Sequence, residues 1–331
     1  YFLKNSYNIG GDSWEIERIL EKIGYNVITA LTGDASYEHI QNANLADVNL
    51  VQCYRSINYI AGMMQTKYGI PWIKCNFIGI KGTIDTLREL AKVFDDPYLY
   101  KKTEEIIAEE LAEIETDIDY YKERLKGKLA CLYVGGSRAQ TYQVLLKDLG
   151  VKTILAGHEF GHRDDYEGSE VIPTIKVDAD SKNIPEITVE PDKEKYRVIV
   201  PKERAEALRK EGVPVSYYGG LEKEMDNDTV IIDDLNAHEM EKFIRELHPD
   251  MFLTGIKEKY VIEKMGVLSR QLHSYDYTGP YAGFKGEVVF ARELARGVYT
   301  PAWKYLTPPW KKQPLIEGKL SDEAAVSGGE K

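Results

Sequence analysis

The sequence predicts an α/β protein built of repeated Rossmann-like domains, with parallel sheets flanked by helices. Two observations predict it. Short apolar runs alternate with longer stretches whose apolar positions recur every three or four residues, the rhythm of βαβ units. That rhythm occurs twice, on either side of one long helical stretch. The chain has 331 residues and 43% hydrophobic content, enough for two domains.

Taken in order, residues 13–24 (SWEIERILEKIG) place Ile16, Ile19 and Leu20 on one helical face, and YNVITAL follows as a strand. VNLVQ is the next strand. After Cys53, Ser56 can cap a helix with Ile57, Ile60 and Met64 at helical spacing, ended by Gly69. IPWIKCNF is a strand and IDTLRELAKVF a helix. From Lys101 to Leu125, Ile107, Leu111, Ile114, Ile118, Tyr121 and Leu125 recur in alternating steps of four and three. The acidic positions between them predict a solvated face. This helix bridges two predicted domains, 1–126 and 127–311. In the second, LACLYV is a strand, Ala139 to Leu149 a helix and VKTILAG a strand. TVIIDD, a helix over Ala237 to Leu247, MFLTGI, a helix around Lys259 to Met265, and VLSRQL continue the pattern. Residues 168–219 interrupt it with five of the 13 prolines and read as a surface insertion with short strands. The polar residues 312–331 read as a flexible tail.

The net charge of -11 argues against nucleic acid or an anionic membrane surface as a partner. Three cysteines, Cys53, Cys75 and Cys131, make no disulfide framework, which points to a reducing, cytoplasmic setting. No apolar run reaches the roughly 18 residues that a membrane span needs. The chain opens on Tyr1, almost inside a structural unit, and reads as a piece of a longer protein.

Parallel sheets place ligands at the carboxyl ends of their strands. Cys53 follows VNLVQ. Gly135, Gly136 and Arg138 follow LACLYV, and His158, Glu159 and Phe160 follow TILAG. Gly255, Ile256 and Lys257 follow MFLT, and Gln271 and His273 follow VLSR. A thiol at a helix N-terminus ionises more easily, which suits metal binding or nucleophilic work. The stretch by itself favours the plainer alternative, a small buried residue filling a strand end. The Gly-Gly-Ser-Arg turn lacks the spacing of a dinucleotide fingerprint, although Glu159 lies about twenty residues on. Its backbone N–H groups and guanidinium instead make an anion pocket. In LHSYDYTGPYAGFKG (272–286), Tyr275, Tyr277, Tyr281 and Phe284 crowd around His273, and Gly279-Pro280 forces a turn. Those residues alone favour an aromatic loop with a satisfied histidine, and no HxxxH or CxxC pattern supports zinc.

Several motifs carry a resemblance. They are NIGGD (8–12), QCYRSINYI (52–60), YGIPW (68–72), YVGGSR (133–138), EFGHRDDY (159–166), TGIKEK (254–259), HSYDYTGPYAGF (273–284), and PAWK with PPWK (301–311). In order and over nearly the whole chain, they resemble the alpha chains of nitrogenase molybdenum–iron proteins, whose fold is the nitrogenase component 1 type. The resemblance starts at that family's middle domain, so its N-terminal domain is expected to lie outside this sequence. The insertion looks like that of clostridial members.

The resemblance implies that Cys53 holds a terminal iron of an iron–molybdenum cofactor and that His273 binds its molybdenum. Thiolate suits iron in a sulfide cluster and imidazole the other metal. Two protein bonds are few for a large cluster, so surrounding groups must hold the rest. Gly135, Gly136 and Arg138 match the turn against the cluster sulfides. Ser56, Phe160, Gly255 and Ile256 match wall positions, Tyr7 a nearby tyrosine, and Lys257 the lysine facing homocitrate. Gln271, assigned to homocitrate as well, stands where many members carry glutamate, and Ser137 and Ala139 also depart from the commoner turn. The implied activity is reduction of dinitrogen to ammonia in an alpha2-beta2 assembly with a beta chain. Electrons would come from ferredoxin or flavodoxin by way of the ATP-driven iron protein and a P-cluster at the alpha–beta interface. The P-cluster's alpha-chain ligands belong to the N-terminal domain. The alternative is a cofactor-assembly scaffold without turnover. Such chains generally lack the molybdenum-binding histidine, whereas His273 stands within an intact HSYDYTGPY. Arg138 and Tyr275-Asp276-Tyr277 fit the molybdenum type better than the vanadium or iron-only types.

Overall fold

A computed structural model describes residues 2–3, 10–31, 35–52, 54–158, 168, 189–220, 228–255, 258–272 and 279–306. The first half comprises β1 (Phe2–Leu3), α1 (Gly10–Ile23), β2 (Ala30–Leu31), α2 (Tyr37–Gln41), β3 (Asn49–Val51), α3 (Tyr54–Tyr68), β4 (Trp72–Lys74) and α4 (Ile80–Phe94). Its four strands pair in parallel in the order β2-β1-β3-β4. Ile16, Ile19 and Leu20 are buried, as the period predicts. The strand expected over YNVITAL pairs only at Ala30–Leu31, opposite Phe2–Leu3. Helix α3 starts at Tyr54, so Ser56 lies inside its first turn and does not cap it. The buried row of α3 runs through Ile57, Ala61 and Met64, because the four-residue step from Ile57 lands small Ala61 on the sheet. Ile60, placed on that face by its spacing, is 37% exposed.

The long helix α5 (Pro97–Leu125) starts four residues earlier than the periodicity suggested. The Asp96 carboxylate accepts the Tyr98 N–H at 2.7 Å, and Pro97 presets the first turn. Ile107, Ile114, Ile118 and Leu125 are buried, with Leu111 and Tyr121 packed at the margin. The acidic face is not wholly solvated. Glu110 is fully buried and accepts Arg18 Nη1 and Nη2 at 2.6 Å and Lys22 Nζ at 2.9 Å, both from α1. Burial alone would push this carboxyl up. The hydrogen bonds from Arg18 and Lys22 outweigh it and hold the pKa at about 2.

The second half comprises β5 (Leu129–Tyr133), α6 (Gly136–Asp148), β6 (Lys152–Gly157), α7 (Lys202–Lys210), β7 (Val230–Ile232), α8 (Ala237–Leu247), β8 (Met251–Thr254), α9 (Lys259–Lys264), β9 (Leu268–Gln271) and α10 (Gly283–Val298). Five parallel strands lie in the order β7-β6-β5-β8-β9. One buried cluster includes Ile19, Leu87 and Ile114 together with Leu132, Phe284 and Leu294, so a single apolar core runs through both halves.

Two expectations need correction. Where described, the insertion at 168–219 holds helix α7 rather than short strands, because KERAEALRK is a run of good helix formers. The segment returning from α7 is not superficial: Leu208, Val213, Val215 and Tyr218 are buried. Val215 bridges Ile73 antiparallel, the Ser216 N–H donates to the Trp72 carbonyl at 2.6 Å, and the Arg197 N–H donates to Tyr68 at 3.0 Å. The segment is therefore a strap along the outer edge of β4. Gly69, which ends α3 at φ 73°, lets the Arg197 carbonyl approach, since any Cβ there would collide with it. Secondly, the chain beyond Gly283 is a 16-residue helix, α10, where the sequence showed only an aromatic loop. Three glycines weaken its helical signal. Two of them are required by packing, because a Cβ on Gly286 would strike the Tyr281 backbone and one on Gly297 would strike Leu268.

Glu110→Gln should lower stability by about 2–4 kcal/mol at neutral pH, since a buried partner of two cations loses its charge. A carboxyl held low stabilises fully above its ordinary value of 4.5 and loses that contribution as pH falls through about 2. Urea midpoints of the two proteins should therefore converge across that acid window. A constant separation would refute the charge as the source.

Candidate functional site

Each sheet contains a point where neighbouring strands lead their chains in opposite directions, and the crevice beyond such a point is where open α/β sheets take ligands. In the four-stranded sheet it lies between β1 and β3, with Leu3 opposite Val51. Gln52 leaves from this crevice, immediately before Cys53 in the sequence. In the five-stranded sheet it lies between β5 and β8, with Tyr133 opposite Thr254. Val134 and Gly135 leave beside Gly255, whose N–H donates to the Tyr133 carbonyl at 3.1 Å. The two edges meet along α6, which packs on α3 and α4. Lys74, at the end of β4, donates to Gln140 Oε1 at 2.6 Å and lies 4.6 Å from the Tyr218 ring centroid.

The strand ends are held firmly. Buried Gln52 accepts the Phe77 N–H at 2.8 Å, and the Cys75 N–H donates to Val51 at 3.0 Å, so the residue before Cys53 is locked to the chain leaving β4. Tyr54 opens α3 directly after Cys53, the helix start that the sequence argument requires. Buried Leu272, just before His273, donates its N–H to the Thr254 carbonyl at 2.8 Å. Beyond the histidine loop, Asp12 of α1 accepts the N–H groups of Tyr281 at 2.8 Å and Ala282 at 3.0 Å, and Gly11 packs against the Pro280 ring. Ala282 also bridges Ile78, and the Gly283 N–H donates to Phe77 at 2.8 Å. Gly11 and Asp12 of the NIGGD motif thus meet Pro280 to Ala282 of the TGPYAGF motif in space.

Gly135 precedes α6 at φ -58° and ψ 147°, an ordinary conformation for any residue. A Cβ there would meet nothing within 4 Å among the described residues. Neither backbone strain nor crowding by the protein calls for glycine at this position, in contrast to Gly286 and Gly297.

Of the predicted site residues, Gly135 and Gly255 lie at strand ends beside the crevice of the five-stranded sheet, and Gln271 lies at the end of the edge strand β9, opposite Thr254. Ser56, Gly136 and Arg138 lie in the first turns of α3 and α6, but their side chains are outside the described set. Tyr7, Cys53, Phe160, Ile256, Lys257 and His273 lie outside the described residues. His158 is a core residue: burial lowers its pKa, partly opposed by a hydrogen bond to the Val134 backbone. Cys75 and Cys131 are buried cysteines outside any disulfide, and burial pushes Cys131 up to about 12, away from ligand chemistry. The sequence reading missed Asp12 and Gln52. Asp12 had a usable signal, since a carboxylate four residues before Ile16 lies on the apolar face of α1.

This pair of parallel sheets, each with a ligand crevice at its switch point, defines a doubly wound, Rossmann-like α/β scaffold. Residues 3–299 match the family described as nitrogenase component 1 type oxidoreductase, and the chain belongs to that family. The nitrogenase molybdenum-iron protein alpha chain of Clostridium pasteurianum is 65% identical over 324 residues, covering 98% of this chain and 60% of that one. The corresponding chain of Methanosarcina barkeri is 48% identical over 307 residues, covering 93% of this chain and 57% of that one. The solved structure of nitrogenase Cp1 at pH 6.5 superposes with a TM-score of 0.87 at 66% identity, covering 93% of this chain and 60% of that chain. The chain therefore spans about three fifths of the length of these relatives.

Asp12→Ala should cost about 2–4 kcal/mol, because two buried N–H donors lose their acceptor. Hydrogen exchange should show the loss first at Tyr281 and Ala282. Unchanged protection there would show that Asp12 does not hold the end of the histidine loop.

Proposed function

We propose that the chain belongs to the alpha subunit of a molybdenum-dependent nitrogenase, which reduces dinitrogen to ammonia at an iron–molybdenum cofactor carrying homocitrate. The observation that supports this reading is that, in a chain of this family, Gln52 (next to Cys53 in sequence) follows β3, and the Gly135 turn and Gly255 follow β5 and β8, the strands flanking the two crevices, while Leu272 (next to His273 in sequence) follows β9 beside β8. The Gly135 position fits a bulky group, because its missing side chain leaves open space that nothing in the described protein fills.

In this reading residues 1–126 supply the Cys53 thiolate to iron and residues 127–311 supply the His273 imidazole to molybdenum. When bound, the cofactor provides the redox centre at which dinitrogen takes up electrons and protons. The chain's own residues hold and screen it. Gly136 with Gly135 brings backbone close, and Arg138 offers a planar fork of donors to the sulfides. Ser56, Phe160 and Ile256 wall the site beside Gly255, with Tyr7 near, and Lys257 and Gln271 face the carboxylates of homocitrate. The partners are a beta chain in an alpha2-beta2 assembly, sharing a P-cluster, and the ATP-driven iron protein. The setting is the cytoplasm, and among the described residues no helix is long and apolar enough to cross a membrane.

Two variants in the complete alpha–beta assembly test this. Gly135→Ala should melt within about 0.5 kcal/mol of the parent, since its backbone and surroundings accept a methyl group. It should nevertheless lose molybdenum and the cofactor's spin signal, and normal molybdenum content would remove the cradle. His273→Gln should keep the fold and lose molybdenum occupancy or dinitrogen reduction. A lowered melting temperature with normal molybdenum and normal ammonia formation would refute the ligand role. Metal bound without turnover by the parent assembly would favour the scaffold alternative.

A further inference from the structure

Glu287, in the first turns of α10, is fully buried and belongs to no part of the site described above. Its Oε2 accepts the Ile80 N–H at 2.6 Å, which caps the start of α4. Its Oε1 meets no donor. The polar side chain facing it is Asp148, the last residue of α6, itself a carboxylate paired with Lys122 of α5 at 3.1 Å. Two facing acceptors cannot hydrogen-bond each other. One proton on Oε1 resolves both the missing partner and the repulsion, by turning that oxygen into a donor toward Asp148.

We propose that Glu287 holds a proton at neutral pH and donates it in a hydrogen bond to Asp148, forming a clasp that ties α4, α6 and α10 together and opens in alkali with release of that proton.

The surroundings support this. Burial pushes the Glu287 carboxyl well above the usual carboxylate range, and the Asp148 charge adds to the shift, against a smaller opposing effect of Lys122. Two neighbouring pairs of charges on the packed elements are engaged with each other. Lys81 and Asp85 of α4 pair with each other at 2.6 Å, and Lys285 of α10 pairs with Glu113 of α5 at 2.7 Å. A groove of about 700 Å³ between α4 and α5 reaches Ile80, Lys122 and Asp148 but not Glu287. Water therefore meets the pair from the Asp148 side, which gives the released proton an exit. A group whose folded pKa is raised stabilises below its ordinary value and loses that contribution as pH rises through the folded value. The weakness is thus alkaline, opposite in sign to that of Glu110.

Glu287→Gln is the test, because Gln keeps an acceptor for Ile80 and presents a permanent donor to Asp148. The complete protein is followed by hydrogen exchange, corrected for the intrinsic pH dependence, at the Ile80 amide and the first turns of α10. In the parent, protection should fall by up to tenfold per pH unit as pH rises from the ordinary carboxyl value of 4.5 toward the raised folded value, and level off once the folded Glu287 ionises, whereas the Gln variant should be at least as protected at neutral pH and show no such fall. Infrared spectra of the parent at neutral pH should also contain a protonated-carboxyl band that the variant lacks. The proposal is overturned if that band is absent, if the variant is less protected at neutral pH, or if both proteins lose protection alike as pH rises.

Discussion

The structure depends on the seating of one short segment, residues 281–287, against the first half of the chain. Asp12 takes two of its backbone N–H groups, Phe77 and Ile78 take the next positions, and Glu287 reaches back to start α4. None of these partners lies close in sequence to the segment. The loop carrying His273 leaves β9 at Leu272 and ends at this seat, and β4 and α4 are joined through Phe77–Ile80. The same hydrogen bonds therefore position the loop and hold the two sheets together. Buried polar groups paired this fully are costly to break singly, so the seat acts as a rigid reference for the strand ends around it.

Helices with a clear apolar period, such as α1, α5 and α8, were legible because one face of each meets the core and the opposite face meets solvent. Parallel strands were legible as apolar runs because both of their faces are covered. Legibility failed where a residue answers to a distant partner. Glu110 looks like any acid on a charged helix until Arg18 and Lys22, about ninety positions earlier, come across to meet it. Helix α10 was hidden by glycines whose purpose is close approach to Tyr281 and Leu268. In the insertion, Leu208, Val213 and Val215 were lost among charges, although they anchor it.

At the site, the sequence argument placed chemistry-bearing residues at strand ends, and topology added why those ends matter. Among the described residues the crevices fall beside β1 and β3 and beside β5 and β8, so Gln52, Gly135 and Gly255 are separated from the residues ending β6, where His158 is buried. Burial sorts the cysteines in the same way. Cys75 is turned inward toward Gln52 Oε1, and Cys131 behaves as a small apolar side chain whose protonated thiol does not compete for metal.

The strap from Arg197 to Tyr218 has a consequence for how the molecule behaves in a crowded solution. A sheet that ends in an uncovered strand offers a template onto which other chains can polymerise. Here Trp72 and Ile73 spend that capacity on Ser216 and Val215 of their own chain, in an antiparallel contact that breaks the parallel order of the sheet. The four-stranded layer is thereby terminated on that side. The price falls on Val213 to Ser216, which must keep a shape complementary to β4, whereas the exposed side chains of Lys193, Glu194 and Lys195 are free to vary without reopening the edge.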